Sequence, residues 1–133
     1  MKLTRSISQN EKDEIARPNI DIFDGDIIKI LDEGKWINFR FRGQERKRLV
    51  FKIQTKMMKE KLLPLNQISI NNLIDAYGDE TKNWIGKEVR VWIFKTQVGG
   101  NFRDVVYLTH PDWIFENGRF SPPNEKEKPK SKN

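Results

Sequence analysis

Between Arg40 and Lys61 the chain carries nine basic residues, Arg40, Arg42, Arg46, Lys47, Arg48, Lys52, Lys56, Lys59 and Lys61, against two acids, Glu45 and Glu60. That segment sums to +7 in a chain of formal net charge +6, so the remaining residues sum to −1. A single concentrated field of this kind attracts a polyanion such as nucleic acid, or an acidic protein surface. Aromatic rings are interleaved with the cations: residues 39–52 read FRFRGQERKRLVFK, and Trp36 stands just before them. Cations follow phosphates, and flat rings stack on unpaired bases at about 1–3 kcal/mol each. A solubilising face would account for the charge alone, but it has no use for an exposed indole.

A second stretch, QVGGNFRD at 97–104, sets Phe102 and Arg103 beside the flexible pair Gly99-Gly100. It offers another ring and another cation. Read plainly, GGN is a good hairpin turn and Phe102 packs against the domain. Enzymatic constellations are missing. There is no cysteine, and His110 is the only histidine, placed before Pro111 as a strand-end residue would be. Nucleophilic triads and histidine-rich metal sites need more than that. Asp24, Asp26, Asp32, Glu33, Asp75, Asp79 and Glu80 are the acids a magnesium-dependent nuclease would draw on, but turns and helix ends explain several of them locally. No G-x-x-x-x-G-K-[ST] phosphate loop is present. The expectation is a non-enzymatic binding module with no cofactor and no metal.

The elements that must position these groups follow from hydrophobic period. With 133 residues, one domain is expected. Residues 1–20 form a polar segment in which Ser8 and Glu11 fit a capping box, so a short helix over 9–16 is possible. Residues 21–120 form the domain. Residues 121–133, SPPNEKEKPKSKN, hold three prolines and four lysines and read as a disordered tail. The absence of cysteine and of any long apolar run points to a cytoplasmic protein.

Within the domain, DIIKILD at 26–32 is a short apolar strand. In WINFRFR, Ile37, Phe39 and Phe41 alternate with Trp36, Asn38, Arg40 and Arg42; in RLVFKIQ, Leu49, Phe51 and Ile53 alternate with Arg48, Val50, Lys52 and Gln54. LLPLN is an edge or an interruption because of Pro64. ISINNLIDAYG is a helix capped by Ser69 or Asn71 and ended by Gly78. Strands follow at 89–95 and 104–110, and WIFENGRF adds a hairpin around Asn117-Gly118 or covers one end of the core. Trp92, flanked by Arg90 and Phe94, belongs to a strand buried on both sides. The result is mainly β with one helix, in the order β-β-β-α-β-β, which fits the five-stranded Greek-key barrel of the OB-fold.

Counted from Leu73, the chain reads L-x-x-A-Y-G-x-E-T-x-x-W-x-G-K-x-V, preceded by LNQISINNL and, nearer the front, GDIIKILDEGKW. Over residues 24–109 this arrangement resembles small OB-fold-type single-stranded DNA-binding proteins of archaea and phages. The resemblance implies the fold first and DNA binding second. The motif itself reads as structural: Gly78 ends the helix, Trp84 plugs the barrel bottom and Gly86 lets the next strand begin.

If Phe39, Phe41, Leu49, Phe51 and Ile53 face the core together, then Trp36, Arg40, Arg42, Arg48 and Lys52 share one outer surface. That surface, with Phe102 and Arg103, is the expected site for single-stranded DNA, or RNA, bound with little sequence preference. Trp36 alternatively folds over the barrel end as core. The other function class that fits is a protein-interaction or assembly module with an acidic partner.

Overall fold

A computed structural model describes residues 14–41 and 43–123. Its strands are β1 (Ile27–Ile30), β2 (Lys35–Phe41), β3 (Gln44–Gln54) and β4 (Glu60–Leu65), then, after the helix, β5 (Glu88–Val98), β6 (Asn101–Thr109), β7 (Ile114–Glu116) and β8 (Arg119–Ser121). The helix α1 spans Gln67–Tyr77, and a 3-10 turn covers Thr81–Trp84. The chain is therefore mainly β with one helix, as its period predicts. Among the described residues no helix is long and apolar enough to cross a membrane. The disordered tail expected from 121 onward lies outside the described residues except for 121–123, where Ser121 closes β8. The helix expected over 9–16 likewise falls mostly outside them. Residues 14–16 form a turn and a parallel bridge to Leu62, with Ala16 N donating to Leu62 O at 2.8 Å and Leu62 N to Glu14 O at 2.9 Å.

The sheet order is β2-β3-β1-β5-β6, with β4 on the other edge of β3. Both β1 and β2 pair with the same edge of β3, β2 through residues 44–50 and β1 through Ile53 and Gln54. They thus act as one long strand bent at residues 31–34. Asp32 makes the bend possible: its Oδ1 accepts from Gly34 N and from Lys52 N, both at 3.0 Å. A side-chain oxygen takes the place of a strand carbonyl where the backbone turns away. Gly34 has φ +77°, and a Cβ there would stand 2.7 Å from the Phe51 ring. Only glycine serves at this bend.

Counting β1 and β2 as one strand restores three strands before the helix and two after it. The membership differs from the expectation, because LLPL is a true third strand. Pro64 is tolerated there since β4 lies at the sheet edge, paired on one side with β3. The core gathers Ile28, Ile30, Phe51, Ile53, Leu63, Leu65, Leu73, Val89, Val91 and Leu108 around Trp84. Trp84 is 1% exposed, stacks on Phe51 at 5.3 Å and donates its Nε1–H to Gly78 O at 2.8 Å, so it is the plug its motif predicts.

No strand pairing joins β4 to β6, so the sheet is OB-like in order without being closed into a barrel. Polar side chains of α1 seal the gap. Asn66 Nδ2 donates to Val106 O at 2.9 Å, Leu108 N donates to Ser69 Oγ at 3.0 Å, and Asn72 Nδ2 donates to Leu108 O at 3.1 Å. Positions 66, 69 and 72 repeat every three residues and lie along one helix face. They satisfy the outer edge of β6 as a neighbouring strand would, and deny that edge to another chain. Asn66 is also the N-cap, its Oδ1 accepting from Ser69 N at 3.0 Å. The cap expected at Ser69 or Asn71 is thereby corrected: the chain enters the helix directly from β4, and Ser69 is occupied at the sheet edge.

Candidate nucleic-acid interface

The basic segment folds into a β2–β3 ribbon whose register runs Lys35↔Val50, Trp36↔Leu49, Ile37↔Arg48, Asn38↔Lys47, Phe39↔Arg46 and Arg40↔Glu45. Directly opposed residues point to the same face of an antiparallel pair. One face thus carries Trp36, Asn38, Arg40, Glu45 and Lys47 and continues inward through Leu49 to the core. The other carries Lys35, Ile37, Phe39, Arg46, Arg48 and Lys52. The expected single surface of Trp36, Arg40, Arg48 and Lys52 is therefore split, with Trp36 and Arg40 on one face and Arg48 and Lys52 on the other. The cause is the hairpin loop. Residues 42 and 43 are its only members, so even positions on β2 oppose odd positions on β3. One further residue in the loop would have produced the expected faces. Phe39, expected in the core, instead lies half-buried with Ile37 on the outer face beside Arg46 and Arg48, and the side chain of Phe41, also expected in the core, lies outside the described residues. The side chain of Arg42 lies outside the described residues.

Each face keeps the ingredients of the expected site. Trp36 is 62% exposed, so its ring stays outside rather than folding over the core. Arg40 is tied across the hairpin to Glu45, Nη2 to Oε2 at 2.9 Å. Lys52 lies 3.9 Å from Glu60, a loose surface pair. Lys35, Arg46, Lys47 and Arg48 have no ion-pair partner among the described residues. Partial burial, and then the charge of Arg46, pull the Arg48 guanidinium below its usual value. Two arginines at alternate positions of one strand, without a carboxylate between them, are poised to bind an anion. Arg46 and Lys47, together with Lys35 and Phe39, are functional candidates that the sequence reading missed. The signal was available in the loop length, which fixes which residues face each other.

The second candidate stretch forms the β5–β6 hairpin around Gly99-Gly100. Phe102 is 68% exposed and opposes Gln97, while Arg103 opposes Thr96 on the other face. Trp36 and Phe102 are the most exposed aromatic rings among the described side chains. The sheet order places β1 between this hairpin and the β2–β3 ribbon, so Phe102 and Arg103 form a separate outpost rather than part of one surface with Arg48.

Other candidates have structural roles. Trp92 donates to Thr109 Oγ1 at 2.9 Å and lies against Phe94, Phe115 and Phe120, with Arg90 over its ring at 4.0 Å. Its cover is the β7–β8 hairpin, which turns at Asn117-Gly118 as expected. His110 stacks on Tyr77 at 5.6 Å, and its Nδ1 accepts from Asp112 N at 3.0 Å, which is a strand-end role. Asp24 accepts from Ile93 N of β5 at 2.8 Å and Asp26 from Phe23 N at 3.0 Å, so the first ties its turn to the sheet and the second holds the turn itself. No family model, no curated protein and no solved structure matches this chain.

Proposed function

We propose that this protein binds single-stranded nucleic acid without acting on it chemically and with little base preference. DNA is the form the sequence resemblance favours, and RNA is the alternative. The reading rests on the β2–β3 ribbon, where Lys35, Arg40, Arg46, Lys47 and Arg48 stand against the one acid Glu45, beside an indole left 62% exposed. A single strand presents phosphates and unpaired bases together, and the ribbon offers a partner for each. Arg46 and Arg48 neutralise phosphates on the outer face. Lys47 does so on the inner face, where Trp36 stacks on a base. Arg103 and Phe102 add a contact further along the strand. Lys52 and Arg40, already engaged by Glu60 and Glu45, contribute less. The cysteine-free composition suits work in a cytoplasm.

Tryptophan fluorescence tests the reading. Of the four tryptophans, Trp84 and Trp113 are buried and Trp92 is packed under a hairpin, so quenching by a ligand reports on Trp36. Saturable quenching of the wild type by oligo-dT is the expected result, with affinity for a labelled strand, read by anisotropy, weakened about fivefold or more in Trp36→Ala. Equal wild-type responses to oligo-dT and heparin, with labelled-strand anisotropy unchanged in Trp36→Ala, would assign the ribbon to an acidic protein partner instead.

A further inference from the structure

The inner face of the ribbon runs into a slot beside the start of α1. Trp36 on β2 opposes Leu49 on β3, which opposes Leu65 on β4, so three side chains form a row across three strands. Leu49 and Leu65 are buried and make an apolar floor, with half-buried Ile70 of α1 beside them. Trp36 and Gln67, the first residue of α1, both line the slot. Arg46, Lys47 and Arg48 of β3 also border it, and of these Lys47 shares the face of Trp36. The cavity is about 360 Å³, near the lower end of the ~300–1,000 Å³ typical of small-ligand sites.

We infer that this slot takes one unpaired nucleobase of the bound strand, inserted between the Trp36 indole and the N-terminal end of α1. The inference rests on the proposed single-strand binding and adds where a base goes. Its chemistry is specific to a nucleotide. The apolar floor and flat indole suit the face of a heteroaromatic ring, and Lys47, on the same face of the ribbon, suits the phosphate attached to it. Gln67 donates its Nε2–H to Asn71 Oδ1 at 3.0 Å, a bond that does not use its carbonyl oxygen, which is able to accept from a donor on a base edge. An exposed indole on an apolar row is wasted contact area until something flat covers it.

The test compares an oligo-dT of about 12 nucleotides with an abasic strand of the same length and charge. It uses the full chain at fixed salt and reads affinity by anisotropy of a labelled strand. Wild-type protein is expected to prefer oligo-dT by about tenfold or more. Gln67→Trp places a large ring in the slot from an exposed helix position, and should remove most of that preference. Trp36→Ala, a truncation at an exposed site, should do the same and serves if Gln67→Trp does not fold. If the wild type binds both strands equally, the slot holds no base, although phosphate binding by the ribbon stands. If folded Gln67→Trp keeps the wild-type preference, the base is stacked elsewhere and the inference is overturned. If the wild type binds neither strand, the single-strand reading falls and the slot proposal with it.

Discussion

Replacing Gly34 by alanine should destabilise the fold through two separable terms. The first is backbone strain: φ is +77°, and holding an L-residue in this left-handed region costs about 1–2 kcal/mol. The second is steric. An added Cβ would stand 2.7, 2.8 and 3.0 Å from three carbons of the Phe51 ring. That ring is 1% exposed and stacked on Trp84 at 5.3 Å, so it has little room to retreat. Overpacking of this kind costs about 1–3 kcal/mol. Gly43, in the ribbon loop, supplies the control. Its φ is +78°, but an added Cβ would meet nothing within 4 Å. Gly43→Ala should therefore lose only the first term and Gly34→Ala both, a difference of about 1–3 kcal/mol. Urea unfolding followed by circular dichroism measures each variant. With slopes of about 1–3 kcal/mol/M, the two midpoints should separate by roughly 1 M. Coincident midpoints would mean that the bend between β1 and β2 is not locked against Phe51. The account of how the ribbon is aimed would then fail.

Other consequences follow from the same geometry. Asn72→Ala leaves Leu108 O without its donor at a site 8% exposed, and should cost about 1–3 kcal/mol in the same urea assay. A loss indistinguishable from zero would mean that α1 does not seal the β6 edge. Asp21 ties the N-terminal segment to β4. Burial pushes its carboxyl upward, but the Arg17 N–H bond at 2.8 Å and the charges of Lys61 and Arg17 outweigh it and hold the group below its ordinary value. A depressed carboxyl stabilises the fold above its unfolded pKa, about 3.9, and that contribution disappears as pH falls through the lower folded value. The stability gap between wild type and Asp21→Asn should therefore be full above about pH 5 and close on further acidification. A gap that persists unchanged into strong acid would contradict the assignment.

The parts of the fold legible in the sequence are those set by local chemistry. Period-two alternation located the strands, Gly78 ended the helix, and Asn117-Gly118 turned the last hairpin. What escaped depends on single-residue counts or on distant partners. The two-residue loop at 42 and 43 reverses which residues of β2 and β3 share a face, and periodicity within each strand carries no trace of that. Asp32 bends β1 into β2 by reaching Lys52 N, twenty positions along the chain. Pro64 weakens LLPL as a strand in isolation, yet an edge position absorbs the missing donor. Ser69 looks like a cap until Leu108 N claims its hydroxyl. At the site, residue types were informative and their grouping was not. Trp36 is exposed as stacking requires, but the cations that share its face of the ribbon are Lys47 and Arg40, whereas Arg48 stands with Arg46 on the opposite face.

The salt dependence of oligo-dT affinity bears most directly on the central claim that unpartnered cations of the β2–β3 ribbon hold a phosphate backbone. Each neutralised phosphate of a single strand contributes about −0.7 to the slope of log affinity against log salt. Four or five contacts give a slope of roughly −3 for the wild type, and removing two with Arg46→Ala/Arg48→Ala should bring it to about −1.5. A wild-type slope near zero, or a double variant whose slope matches the wild type, would contradict it.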